Sequence, residues 1–292
     1  MKKSYIYLIL LFSALSWSSL FIFIKLLNGI NSYNIAFFRF AFGLICFLPI
    51  YLLIKKKNKI KAFSRNFFIV VILVAFNGIC TFLVILANKY ANASINTVFF
   101  SLNPLFVALL APVLIKEKNR LLNYLGIILA LIGVILIVTE GGKIINFWQI
   151  KTFYSLLLGL GDGILIGVST NYIKKYINLY NPWTIAYYSM WVNTVILLVF
   201  TLIVGGYHDL YLYSLKQWLW LFLLGALPTG FAFATFYYGV QIIGATKAAA
   251  FKLLMPFFGV ILAVLLLKEL LSWYIIVGGL ITISGLYLTQ KK

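Results

Sequence analysis

The sequence predicts an all-α, polytopic membrane protein whose ten transmembrane helices form two inverted five-helix repeats. Of its 292 residues, 64% are hydrophobic and only 10% are charged, which leaves too little polar surface to cover a water-soluble domain. The apolar residues fall into stretches of about 20, the length that crosses a bilayer as a helix. The second half of the chain also repeats the first.

The predicted spans lie between charges and turn residues, because a bilayer core about 30 Å thick needs roughly 20 apolar residues per helix. Short connections join them and leave no room for a soluble domain. The predicted spans are 5–27, 32–54, 67–88, 93–115, 121–140, 153–174, 183–204, 217–238, 244–266 and 271–290.

The net charge of +19 is informative through its placement, and no nucleic-acid partner is expected. If ten helices alternate, most basic clusters lie on one side, which the positive-inside rule assigns to the cytoplasm. Both termini are then cytoplasmic, and the chain is a multi-pass protein of the cytoplasmic membrane. The basic segments can also contact anionic lipid headgroups. They are Lys2–Lys3, "KKKNKIKAFSR" after span 2, "KEKNR" after span 4, Lys174–Lys175 and Lys291–Lys292.

An internal repeat is visible when residues 87–137 are placed on 239–289 without a gap. This shift of 152 superimposes two prolines, two Lys-Glu pairs and the glycines that follow them. The matched pairs include Pro104 with Pro256, Lys116 with Lys268, Glu117 with Glu269, Gly126 with Gly278 and Gly133 with Gly285. The earlier parts of the two halves match more weakly at a shift of 150, as in Lys25 with Lys175.

Each copy contains five predicted helices, and an odd number places the second copy upside down in the membrane. The charges agree, because the loop after span 2 carries six basic residues whereas its counterpart "GGYHDLYLYSLK" keeps only one lysine. Inverted repeats allow two near-equivalent halves to exchange inward-facing and outward-facing conformations around a central site. The repeat therefore predicts a transporter.

Four features of the sequence belong together: the Lys-Glu pair present in both copies, the glycine pair that follows it, Trp17 with Lys25 in the first helix, and Arg39 in the second. Together they resemble the EamA branch of the drug/metabolite transporter superfamily. The resemblance covers the whole chain, as two EamA repeats at 5–138 and 153–289. It implies a ten-helix inner-membrane carrier, often an exporter of amino acids or other small metabolites, with a central cavity between the halves.

One position departs from the family's pattern. The tryptophan common in the first helix of each unit is present as Trp17, but Gly167 stands at the matching position of the second unit. The resemblance therefore implies a role for Trp17 at the cavity without a symmetric aromatic partner.

Three ionisable residues lie within the predicted spans, where each needs a partner or a water-filled cavity. Asp162 can bind an ammonium group or carry a proton for coupling, or it can pair with an intramembrane cation. Arg39 can meet a substrate carboxylate with its planar fork, or it can serve helix packing. Lys252 has Phe100 as its repeat mate, so a charge was added to one half alone.

Pro104 and Pro256 occupy matching positions in the two copies and interrupt helical hydrogen bonding. Paired helix breaks of this kind point to a binding site at the middle of the membrane. Asn103 and Asn77 can supply hydrogen bonds there, or they can form contacts between helices. Glu117 is expected to cap or pair at the membrane edge.

No catalytic set, cofactor site, metal-ligand cluster or P-loop is visible, so an enzyme is not expected. The expected partners are a small-molecule substrate and membrane lipids. The spaced glycines of spans 5 and 10 predict either close helix packing or a homodimer face. The favoured function is a secondary transporter that exports amino acids or related amines. The alternatives are a lipid or lipid-headgroup translocase and an importer of a small metabolite.

Overall fold

The structure is a computed structural model that describes residues 3–57, 65–87, 102–139, 141–142, 150–177, 179–206, 208, 210–267 and 272–291. Within these residues all regular structure is helical. The first repeat contains α1 (Lys3–Leu26), α2 (Ser32–Lys57), α3 (Arg65–Ala87), α4 (Asn103–Ile115) and α5 (Leu121–Val138).

The second repeat contains α6 (Ile150–Tyr176), α7 (Pro182–Ile203), α8 (Leu215–Gly225), α9 (Ala232–Ile243), α10 (Ala245–Ala250), α11 (Met255–Leu267) and α12 (Trp273–Gln290). A π-helical segment, Ala226–Phe231, joins α8 to α9. A 3₁₀ turn, Phe251–Leu254, joins α10 to α11.

Six described helical segments are long and apolar enough to cross a membrane, and the structure therefore agrees with a multi-pass membrane protein. They include the combined segment Leu215–Ile243, and shorter apolar helices are present at Asn66–Phe76 and Asn103–Ile115. Helix is found within each of the ten predicted spans. The count of ten membrane crossings stays a prediction, since several of these helices are short within the described residues.

Local sequence explains where several helices begin and end. Pro182 opens α7 behind Asn181, whose side chain accepts a hydrogen bond from the backbone of Trp183. Ser214 and Gln217 form a reciprocal capping box at the start of α8. Gly244 separates α9 from α10 with a φ of 94°, a conformation that glycine adopts without steric cost.

Close backbone contact joins the last helices of the two repeats, α5 and α12. A Cβ atom placed on Gly126 would lie 2.7 Å from the carbonyl oxygen of Gly285, and one placed on Gly133 would collide with the carbonyl oxygen of Gly278. Gly126 therefore packs against the repeat mate of Gly133, and Gly133 packs against the repeat mate of Gly126. The four glycines serve packing within the chain, the first of the two alternatives that the sequence offers. A homodimer stays a prediction.

A second glycine crossing joins the two halves at α2 and α8. A Cβ on Gly225 would lie 2.7 Å from the backbone nitrogen of Gly43 and 2.9 Å from the carbonyl oxygen of Arg39. Small residues let helices approach closely in a membrane, where packing rather than water exclusion drives association. This crossing places α2 directly beside the π-helical segment.

We expect Gly133→Val to lower the melting temperature of the purified protein markedly. The added side chain must separate two backbones, and overpacking of this kind costs about 1–3 kcal/mol. Thermal unfolding in detergent measures the effect. Gly161→Ala is the matched control, because a Cβ there meets nothing within 4 Å. Equal melting temperatures for Gly133→Val and the wild type would contradict the described helix contact.

Candidate functional site

Asp162 lies in the middle of α6 and is buried, with 3% of its surface exposed. Its Oδ2 accepts a hydrogen bond of 3.1 Å from Nδ2 of Asn103, at the start of α4. The two helices approach closely because Gly163 and Gly167 leave room for Phe106; a Cβ on Gly167 would lie 3.1 Å from the carbonyl oxygen of Phe106. The glycine that departs from the family's pattern therefore allows α4 to reach Asp162.

Two buried oxygen atoms remain without a hydrogen-bond donor at this contact. They are Oδ1 of Asp162 and Oδ1 of Asn103, and neither has a partner among the described residues. A buried acceptor without a donor is costly, roughly 1–3 kcal/mol and more for a charged group. Such atoms in a native protein call for an explanation, and a bound donor supplies one.

Lys252 lies in the 3₁₀ turn that precedes α11, and its side chain is half-buried. Its Nζ stands 4.6 Å from the ring centre of Phe236 and 4.9 Å from that of Trp17. The two rings themselves meet edge to face at 5.2 Å. Cation–π contacts stabilise an ammonium group away from water without using its hydrogen-bond donors.

The charges of Asp162 and Lys252 interact electrostatically, although no hydrogen bond joins the two side chains. Each therefore partly offsets the cost of burying the other. The pair brings together α4, α6, α1, α9 and the 3₁₀ turn, and so draws on both repeats. Among the described residues no group of three or more histidine, cysteine or acidic side chains is placed to hold a metal ion.

Arg39 belongs to a different contact. It is buried in α2, and its Nε donates a hydrogen bond of 2.8 Å to Oγ1 of Thr229 in the π-helical segment. One terminal nitrogen, Nη1, has no partner among the described residues. The structure therefore does not bring Arg39 into contact with Asp162.

The remaining predicted residues are placed as follows. Pro104 lies in the first turn of α4, where a missing backbone donor is tolerated. Pro256 is the second residue of α11 and follows the 3₁₀ turn that carries Lys252. Asn77 is part of α3, and its side chain lies outside the described residues.

Glu117 has the structural contact that the sequence predicts for it. Its Oε2 accepts a hydrogen bond of 3.3 Å from the backbone nitrogen of Ala245, at the start of α10. A carboxylate at a helix N-terminus is favourable because the first amide groups have no partner within the helix. Its repeat mate, Glu269, lies outside the described residues.

The sequence-based prediction missed a second polar region next to the aromatic cluster. Asn193, Tyr237 and Phe233 line a small cavity of about 10 Å³, and Phe233 also contacts Trp17 with ring centres 5.6 Å apart. The hydroxyl of Tyr237 and Oδ1 of Asn193 are buried without a partner among the described residues. The aromatic run "FAFATFYYG" in and just after span 8 is the signal in the sequence that could have indicated this region.

We expect Asp162 and Asn103 to show strong coupling in a double-mutant cycle. Asn103→Leu removes the donor to a buried carboxylate, and hydrogen bonds to charged groups contribute about 1.5–3 kcal/mol. The loss in stability should be large in the wild-type background and small in the Asp162→Asn background. Pairing Asp162→Asn with Thr194→Val, on a different helix, gives the control, which should be additive. Additivity of the Asn103 pair would contradict the described contact.

We expect Arg39 to contribute mainly through its contact with Thr229. Arg39→Lys shortens the donor and should lower the melting temperature, and Thr229→Val should reproduce most of that loss. Uptake or efflux of anionic and cationic compounds should fall by the same factor in both variants. A selective loss of anionic compounds in Arg39→Lys alone would instead assign Arg39 to carboxylate recognition.

Comparison with known proteins agrees with this architecture. A crystal structure of a protein superposes on the chain with a TM-score of 0.82, covering 99% of this chain and 98% of the other at 14% identity, a likeness that shows the fold. An uncharacterized transporter of Archaeoglobus fulgidus is 29% identical over 98% of this chain and 97% of its own length. A probable terminal-alkyne amino-acid exporter of Streptantibioticus cattleyicolor is 24% identical over 67% of this chain and 63% of its own.

The family comparison covers both halves. The model of the EamA-like transporter family matches residues 4–139 and again residues 153–290. The two matches together span nearly the whole chain, and the relatives above carry transporter names. This chain belongs to the EamA-like transporter family.

Proposed function

We propose that this protein is a secondary transporter of the cytoplasmic membrane that exports amino acids or related amines. The proposed substrate lies between Asp162 and Lys252, where its amino group meets the carboxylate and its carboxylate meets the lysine. The proposal specifies a substrate class and a direction for a chain that belongs to a transporter family.

The observation that carries the proposal is the pair of unpaired acceptors at Asp162 and Asn103. An ammonium group has three donors and no acceptor. It can therefore satisfy both oxygen atoms at once. A hydroxyl or a carboxylate supplies fewer donors, and a carboxylate adds a like charge beside Asp162.

Lys252 supports recognition of the other end of the substrate. Its charge is stabilised by the rings of Trp17 and Phe236, which leave its N–H donors available to a carboxylate. The two protein charges have opposite signs, so the empty site is close to neutral. A zwitterion matches both charges and adds no net charge to the membrane interior, where an excess charge is costly.

Alternating access is the mechanism that the inverted repeats favour. The site draws residues from α1 and α4 of the first repeat and from α6 and α9 of the second. Movement of one repeat relative to the other would expose a site between them to each side in turn. The cytoplasmic placement of both termini rests on the positive-inside rule.

Export as the direction rests on the name of one relative, the probable terminal-alkyne amino-acid exporter. A secondary transporter moves its substrate down the combined gradients, so import is the alternative for the same site. Flux measured from loaded vesicles and into empty vesicles separates the two directions.

We expect substrate analogues to separate the roles of the two charges. L-Phenylalanine, phenethylamine and phenylpropanoate share one ring and differ in their charges. Asp162→Asn should weaken binding of the amino acid and the amine by at least about ten-fold, a change of about 1.4 kcal/mol. Lys252→Met should weaken binding of the amino acid and spare the amine. Ligand-induced increases in melting temperature report each affinity.

Lys247→Met is the matched control for Lys252→Met. Lys247 lies in α10, and its Nζ donates to the carbonyl oxygen of Gln290, away from the charged pair. The Lys247→Met variant should bind all three compounds as the wild type does. The same measurements with L-leucine and its amine test whether the ring matters. A protein that responds to none of these compounds but to phospholipid would favour the lipid-headgroup translocase.

A further inference from the structure

The small cavity beside the aromatic cluster lies between the two repeats. From the first repeat, Phe40 of α2 and Val74 of α3 line it. From the second, Asn193 of α7 and Tyr237 of α9 line it. Its volume of about 10 Å³ is far below the roughly 300–1,000 Å³ of pockets that hold a metabolite. The cavity is therefore too small for the proposed substrate, and its lining does not include the charged pair.

Three polar residues line this cavity, and all three are buried. The exposed fraction of the residue is 2% for Asn193, 2% for Tyr237 and 4% for Ser189. The other lining residues are apolar side chains and one glycine. Buried polar atoms have no access to bulk water, so each of them needs a hydrogen-bond partner within the protein or within the cavity.

The amide of Asn193 is oriented by its own helix. Its Nδ2 donates a hydrogen bond of 2.9 Å to the carbonyl oxygen of Ser189, one turn earlier. The other end of the amide, Oδ1, is buried without a donor among the described residues. A Cβ atom placed on Gly78 of α3 would collide with this Oδ1. Glycine at position 78 therefore leaves the space that the amide oxygen occupies between the repeats.

The hydroxyl of Tyr237 is the second buried group without a partner among the described residues. A tyrosine hydroxyl can donate one hydrogen bond and can also accept. The third polar group, the hydroxyl of Ser189, donates a hydrogen bond of 2.6 Å to the carbonyl oxygen of Ile185, so its oxygen can still accept. The cavity therefore offers one donor, on Tyr237, together with the acceptor oxygens of Asn193 and Ser189.

We propose that this cavity is a binding site for one buried water molecule. The water accepts the hydrogen of the Tyr237 hydroxyl, donates one hydrogen to Oδ1 of Asn193 and donates the other to the hydroxyl oxygen of Ser189. A buried water typically makes about three hydrogen bonds and needs about 10–15 Å³ of space. The three polar groups and the volume of the cavity match both requirements.

The pattern of donors and acceptors favours water over a cation of similar size. A cation binds oxygen atoms but accepts no hydrogen bond, so the O–H group of Tyr237 would stay unsatisfied. A cation would also bring a charge into a cavity whose lining contains no acid, and an unpaired buried charge is costly. Water is neutral and both donates and accepts. The proposed site therefore binds water rather than a coupling ion.

The water joins two helices that adjoin the proposed substrate site. It bridges α7 to α9, and α9 also carries Phe233 and Phe236, whose rings pack against the ring of Trp17. The water therefore holds the helix that supplies these rings in place against α7. The site rests on the groups that line the cavity, so it stands whether or not the protein exports amino acids.

The direct test is a crystal structure of the full-length protein at a resolution that shows ordered water. We expect one density peak at hydrogen-bond distance, about 2.5–3.0 Å, from both the Tyr237 hydroxyl oxygen and Oδ1 of Asn193. A direct hydrogen bond between these two side chains, or a cavity without density, would overturn the proposal. Crystals soaked in rubidium chloride test for a cation, because rubidium scatters anomalously. We expect no anomalous peak in the cavity, and such a peak would replace water by a cation.

Melting temperatures of the purified variants test the same site in detergent. Tyr237→Phe and Asn193→Leu each remove one partner of the water, and each should lower the melting temperature by about 2–4 °C. The double variant should lose little more than either single variant, because the water is lost only once. Additive losses for this pair would contradict a shared water.

Tyr238→Phe is the matched control for Tyr237→Phe, because it removes the neighbouring hydroxyl, which does not line the cavity. Its effect should add to that of Asn193→Leu. If Asn193→Leu does not fold, Gly78→Ala takes its place in the cycle, since the added Cβ displaces Oδ1 of Asn193. A Tyr238→Phe variant that couples to Asn193 as strongly as Tyr237→Phe does would count against the site.

Discussion

The contact on which the rest of the structure depends is the backbone packing of α5 against α12. Gly126 and Gly133 face Gly285 and Gly278, and Oγ1 of Thr282 lies 3.4 Å from the carbonyl oxygen of Ala130. Hydrophobic burial does not drive helices together in lipid, so close van der Waals contact must do so. Because the glycines are repeat mates packed crosswise, this contact also joins the two repeats.

The charged site depends on the opposite property, the loss of symmetry between the halves. Lys252 corresponds to Phe100 in the first repeat, and Trp17 corresponds to Gly167 in the second. Gly167 lets α4 approach α6 so that Asn103 reaches Asp162. The ring of Trp17 lies against the ammonium group of Lys252. Glycines shared by the repeats therefore join α5 to α12, whereas residues that differ between the repeats form the contacts of the proposed site.

The buried charges also constrain the proposed transport cycle. Asp162 and Lys252 interact without direct contact, an arrangement that keeps the site near neutrality while leaving hydrogen-bonding capacity for a substrate. A direct ion pair would satisfy both groups and compete with substrate binding. The separation of the two charges is thus as important to the proposed function as their signs.

Much of the architecture could be predicted from residue pattern. Apolar stretches of about 20 residues predicted membrane helices, and the gapless repeat predicted the family. The charged candidates were also visible, because an ionisable residue in an apolar span needs a compensating environment. Their partners were not visible. Arg39 contacts Thr229 of a π-helical segment 190 positions away. No local sequence pattern indicates such a pair.

By itself, the sequence determined the membrane location, the duplication and the residues that cannot lie in lipid without compensation. These properties follow from composition, spacing and the cost of moving charge into hydrocarbon, all of which are readable along one chain. Only the tertiary structure decided that Asp162 meets Asn103, that Lys252 lies against Trp17 and Phe236, and that the glycines pack within one molecule. Those contacts depend on how helices cross, and the crossing is set by small residues on both partners at once.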